Sequence, residues 1–175
     1  MKKESRVTLY NILLPIWILV FWPSWLWLIL IPANYLIDRI VLRWSLGDMP
    51  EKGLFCRRHT WKICIAGFIG DAVGALILFA FFMASALLEE SPVSEIFQDL
   101  AYGVGFNPFS DILAFLIVAA AVLVAMLVIY LLDRWILKRA GLDAEQAKKS
   151  AIRLAVSTAP YLFFFPSAVL YSGGI

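Results

Sequence analysis

Asp71 is the one acid well inside an apolar run of this 175-residue chain. It stands nine residues past Lys62, about 13–14 Å along a helix and so near the middle of a bilayer. A carboxylate at that depth costs several kcal/mol unless it is protonated or paired, and it marks a functional site by default. Gly67, Gly74 and Ala75 stand at −4, +3 and +4 from it, on the same helical face. Gly70 and Gly74 form a small-xxx-small pair that lets a second helix approach closely, and Ala121 and Ala125 offer a matching surface. In one reading, Asp71 binds a proton or cation with Ser157 and Thr158 as co-ligands. In the other, it hydrogen-bonds a hydroxyl or a carbonyl freed beside a proline and fixes packing. The packing reading is favoured, because interhelical polar contacts are common structural elements. Asn34, four residues before Asp38, is a further polar candidate nearer the membrane boundary.

Other chemistry finds few residues to carry it. Cys56, His59 and Cys64 lack a fourth ligand and any recognised zinc spacing. His59 within Arg57-Arg58-His59 reads as a headgroup-facing basic residue. With a single histidine, a Ser-His-Asp or Cys-His site is hard to build. The GxSxG, HExxH and GxxxxGK[ST] motifs do not occur. An intramembrane aspartyl mechanism needs two carboxylates, and Asp71 has no counterpart at its depth in the last apolar run. Neither an enzyme nor a bound cofactor or metal is expected.

The surroundings these residues need are set by composition. Hydrophobic residues make up 62% of the chain and charged ones 16%, against about a quarter charged in a soluble domain. Mean hydropathy is +0.84. A 175-residue soluble fold has too little interior for so much Phe, Trp, Leu and Ile, so the lipid bilayer is the expected partner. The net charge of +2 is too mild to imply nucleic acid. Two cysteines cannot build a disulfide framework.

Four runs reach the roughly 20 apolar residues that cross a bilayer: 12–37, 63–88, 112–132 and 154–171. Pro15, Pro23 and Pro32 interrupt the first, and Pro160 and Pro166 the last, so these two should be kinked. The first is too long for a signal peptide and is expected to be retained. Its four tryptophans, Trp17, Trp22, Trp25 and Trp27, exceed what an interfacial belt needs.

Charge sets the orientation. Basic residues cluster in stretches 39–62 and 134–153, and none lies between Ile63 and Asp133 or after Arg153. By the positive-inside rule, those two loops are cytoplasmic, while loop 89–111 and the carboxyl terminus lie outside the cell membrane. The basic amino tail (Lys2, Lys3, Arg6) would then be outside, unless the first run is re-entrant near Trp22-Pro23-Ser24-Trp25. Its length favours a full span. In the outer loop, Ser91-Pro92 reads as a helix start and Val93, Ile96, Phe97 and Leu100 as an apolar stripe, giving a short interfacial helix within 91–108. Gly103, Gly105, Asn107 and Pro108 read as the turn that follows it.

An internal likeness organises the whole. Tyr35-Leu36-Ile37-Asp38-Arg39 resembles Tyr130-Leu131-Leu132-Asp133-Arg134, and at the same offset Asp48 and Glu51 face Asp143 and Gln146 with capping-box spacing. The expected fold is therefore an all-α membrane protein. It has four transmembrane helices in two parallel helix-pair repeats, about 10–88 and 109–172, within a single domain 1–175. A pseudo-twofold would pair Asp38 with Arg134 and Asp133 with Arg39. So small a bundle points to a homo-oligomer or another membrane subunit as partner. The leading functional expectation is a non-enzymatic accessory, assembly or scaffold subunit. The alternative is a small proton- or cation-coupled transporter or channel centred on Asp71.

Overall fold

A computed structural model describes residues 15–21, 27–87, 94–167 and 169. Among these residues the fold is all-helical, with no strand. Its α-helices are α1 (Trp27–Ser45), α2 (Lys52–Leu87), α3 (Ser94–Phe106), α4 (Ile112–Arg139) and α5 (Ala144–Thr158); 3-10 turns lie at Ile16–Val20 and Tyr161–Phe164. Helices α2 and α4 are long and apolar enough to cross a membrane. Their 36 and 28 residues extend about 54 and 42 Å at 1.5 Å per residue. Less than half of each apolar stretch is buried within the protein. Leu76, Leu116, Leu123 and Leu127 are all more than half exposed.

The basic stretches are helix for most of their length, where loops were expected. Arg39 and Arg43 belong to α1, and Lys52, Arg57, Arg58 and Lys62 to α2, leaving residues 46–51 as the connection. Arg134, Lys138 and Arg139 likewise end α4, and Lys148, Lys149 and Arg153 lie on α5. Lys and Arg are good helix formers, so nothing in these stretches ends a helix at the edge of its apolar run. Both connections sit at one end of the bundle. Gln146 Nε2 donates to the Ser45 carbonyl at 2.7 Å, and the Arg153 guanidinium lies 4.4 Å from the Trp44 ring centroid. Leu42, Cys56, Ile63, Leu137, Ala151 and Leu154 pack together beneath them. Cys56 is therefore a core residue, 1% exposed.

The matched capping signals are realised on one side only. Asp143 Oδ1 accepts from the Glu145 and Gln146 backbone N–H groups at 3.0 and 2.9 Å, which starts α5. Asp48 stays in the turn after α1, and α2 instead begins behind Glu51, whose φ is +55°. Element lengths differ as well: 19 and 36 residues in the first half, 28 and 15 in the second.

Neither outer apolar run is one continuous helix. Along the first, Trp17 meets Phe82 edge-on at 6.4 Å, Phe21 meets Phe79 at 6.5 Å, and Trp27 stacks on Phe68 at 5.7 Å. The segment thus runs antiparallel to α2 along most of its length, as a 3-10 turn and then α1; Pro23 and the rest of 22–26 lie outside the described residues. The last run behaves similarly. Helix α5 stops at Thr158, just before Pro160, whose missing N–H and ring oppose a continuing helix. After the 3-10 turn, Phe164 meets Phe115 at 5.3 Å, and the Ser167 hydroxyl donates to the Gly105 carbonyl at 2.9 Å. The expectation of four unbroken helices becomes two long helices flanked by two interrupted segments.

The helix expected in the outer loop is present and longer. Its start at Ser91-Pro92 lies outside the described residues, while α3 continues through Gly103 and Gly105, which were read as a turn. Both glycines serve close packing: a Cβ on Gly103 would sit 2.7 Å from Ala114 Cβ, and one on Gly105 3.3 Å from Pro15 Cγ. Ala101 and Val104 are buried while Ile96 is two-thirds exposed, so the buried stripe lies about a turn later than periodicity implied. Residues 107–110 make the turn, and Asp111 Oδ1 then accepts from the Leu113 and Ala114 N–H groups at 2.7 and 3.2 Å to start α4.

Candidate functional site

Close packing of α2 on α4 sets the site. A Cβ on Gly70 would run into Ile129 Cγ1 and lie 3.0 Å from the Ala125 carbonyl oxygen. One on Gly74 would lie 3.1 Å from Ala125 Cβ, 3.3 Å from the Ala121 carbonyl oxygen and 3.0 Å from Phe163. Gly70 and Gly74 therefore abut the Ala121/Ala125 face, as small residues at such a contact do. Gly67 does not join them: nothing lies within 4 Å of a Cβ built there.

The buried stripe of α4 continues at helical spacing through Ala121, Ala125 and Ile129 to Asp133 and Leu137. Asp133 is carried inward with it. It has no exposed surface, and neither carboxylate oxygen has a hydrogen-bond partner. On α1, Asp38 shares the buried face of Leu42 and Ser45 and is 3% exposed. Its polar neighbour is the Cys64 thiol of α2. Asp71 follows Cys64 by seven residues, about 10 Å along the same face of α2, and its Oδ1 is buried with no partner. Asp38 lies within electrostatic reach of both Asp71 and Asp133. Three carboxylates from three helices thus form one acidic interior.

The expected cross-pairs are absent among the described residues. Asp38 faces Asp133 and not Arg134, and Asp133 has no cation in place of Arg39. The Arg134 Nη1 donates to Tyr130 Oη at 3.3 Å, and its Nε is buried without a partner. Consecutive residues on a helix point about 100° apart. With both aspartates turned to the centre, both neighbouring arginines are turned away from it. The co-ligand expectation also fails. Ser157 is exposed, and the Thr158 hydroxyl donates to the Leu154 carbonyl at 2.9 Å. Asn34 is half-buried on α1.

Sequence reasoning named Asp71 and placed Asp38 and Asp133 at the rim, where arginine would neutralise them. The missed signal was periodicity: Asp38 and Asp133 each precede by four a leucine, Leu42 or Leu137, that is wholly buried. No three His, Cys, Asp or Glu side chains come close enough to hold one metal ion among the described residues. The His59 ring instead packs against Phe55, with centroids 4.6 Å apart.

A ring of tryptophans bounds the site on the side of the basic connections. Trp44, Trp61 and Trp135 are each more than half exposed. Each carries a cation over its ring: Arg153, Lys62 and Arg139, at 4.4, 5.6 and 4.2 Å. Amphipathic rings beside cations suit the headgroup level of a membrane. Next to the site, an open groove of about 770 Å³ separates α1 from α2. Its walls include Trp27, Ile31 and Tyr35 of α1 and Cys64, Phe68 and Ala72 of α2. Comparison with protein-family models, with curated proteins and with solved structures finds no match to this chain.

Proposed function

We propose that this chain is a multi-pass membrane protein that takes up and releases a proton or cation at Asp38, Asp71 and Asp133, as a small coupled transporter or channel. The observation that carries the reading is Asp133, wholly buried with two unpartnered carboxylate oxygens and with Asp38 as its charged neighbour. A buried unpaired carboxylate is a large liability for a merely structural element. Ionisable groups turned to the interior of a membrane bundle are the usual mark of ion paths and proton relays. The interrupted segments support the same reading. Broken helices at membrane depth are tolerated where protein or a cavity covers them, and they often flank transport sites.

Membrane insertion is supported by the outward apolar faces of α2 and α4, which water would penalise. With the basic connections on the cytoplasmic side of the cell membrane, the segments through α1 and after α5 cross beside them. That makes four passes, with α3 at the outer face. Aligned passage of Trp17, Phe21 and Trp27 along α2 favours a full crossing over a re-entrant turn. The two Y-L-x-D-R stretches act as a local parallel repeat that delivers Asp38 and Asp133 to one depth. No covalent chemistry is assigned.

The test is flux. Purified protein in liposomes should dissipate an imposed cation or proton gradient, and Asp71→Asn should not. Equal flux in both, or none in either, contradicts the reading. The groove between α1 and α2 favours a second one, in which an apolar helix of another subunit seats there and the chain acts as an accessory or assembly component. A defined hetero-complex with no flux would support that alternative.

A further inference from the structure

We infer that the ion handled is the proton, passed between Asp133, Asp38 and Asp71 as successive stations, with the Cys64 thiol positioning Asp38. This rests on the transport reading above and narrows it to one substrate. Metal cations need several oxygen ligands converging on one point. Here no three ligating side chains converge among the described residues. The carboxylates instead come singly from α1, α2 and α4, each within reach of the next. Asp133 is buried with both oxygens free to accept, and Asp71 offers a buried free oxygen some two turns beyond Cys64.

The groups facing this interior from the packed helices are Asp38 of α1, Cys64 and Asp71 of α2, and Asp133 of α4. The nearest basic residue of α4, Arg134, is engaged with Tyr130. Each step is a balanced proton transfer: one carboxylic acid loses its proton to water, and the next carboxylate gains one. A proton arriving from the solvent on one side is matched by one leaving on the other. No oxidant or cofactor is required. The thiol of Cys64 reaches Asp38 without carrying a charge itself, which holds the middle station in register.

The experiment uses the full chain in vesicles of phosphatidylcholine and phosphatidylglycerol, with an entrapped pH dye in one set and sodium or potassium indicators in another. Expected is proton movement in the wild type, lost to the level of empty vesicles in Asp38→Asn, Asp71→Asn and Asp133→Asn. Asp71→Glu should retain it, which shows that loss follows the carboxyl group and not misfolding. Cys64→Ser should keep most of the rate and Cys64→Val lose it. Sodium or potassium movement that depends on Asp71 without proton movement overturns this inference and leaves the transport reading standing. Proton movement that survives Asp38→Asn or Asp133→Asn overturns the relay. No ion movement by the wild type removes the transport reading itself.

Discussion

Asp38 and Asp133, which hold the same place in two Y-L-x-D-R stretches, face one another across the bundle, while the arginines that follow them point elsewhere. The symmetry of the sequence thus joins like to like. An exchange of charge between Asp38 and Arg134 should therefore fail: the double variant Asp38→Arg, Arg134→Asp is expected to be no more stable than Asp38→Arg alone. Thermal unfolding in detergent checks this, and a recovery in the double variant would restore the cross-pair.

Asp133 should be costly to the fold. Replacing it with leucine, the residue that follows it by four, removes a buried group with no hydrogen bond. We expect a gain of about 1–3 kcal/mol in unfolding free energy, accompanied by loss of ion movement. That opposition between stability and activity is characteristic of a functional site. A loss of stability would mean that the carboxylate is structurally engaged.

The glycines of α2 should separate by face. Gly70→Ala forces a methyl onto Ile129 and the Ala125 backbone and should cost about 1–3 kcal/mol by overpacking. Gly67→Ala meets open space and should be neutral or gain up to about 1 kcal/mol through helix propensity. Denaturation of the two variants side by side checks the contrast.

Thiol labelling should read the topology. Cys56 and Cys64 are buried, so the wild type should react slowly with an impermeant maleimide from either face. Gly53→Cys and Lys149→Cys should both label from the cytoplasmic side, and Ser110→Cys only from outside; these three positions are exposed. Labelling of Gly53→Cys and Lys149→Cys from opposite faces would break the arrangement.

Much of this was legible in the residues. The runs 63–88 and 112–132 became the apolar cores of α2 and α4, because their length and hydropathy leave a helix little alternative. The Gly70/Gly74 spacing pointed to a close contact that the Ala121/Ala125 side fills. Proline positions pointed to the interrupted segments, though not to how Pro160 would end α5. Helix ends were misjudged because charge marks the membrane boundary and not the end of a helix, so Arg39 and Arg134 looked like loop residues. Asp38 and Asp133 were misread for the same reason: beside an arginine, an aspartate looks solvated. Only the tertiary packing of Leu42, Ile129 and Leu137 turns them inward. Gly103 read as a turn because glycine spacing cannot distinguish a bend from a close approach to Ala114.

The most direct test of a shared, proton-exchanging carboxylate site is infrared difference spectroscopy of the protein in bilayers during a pH jump. The wild type should show carboxyl bands that appear and vanish with pH, with Asp133→Asn removing one band and Asp38→Asn shifting those that remain. Bands unchanged across pH, or a Asp38→Asn spectrum missing one band with the others unmoved, would contradict a coupled set.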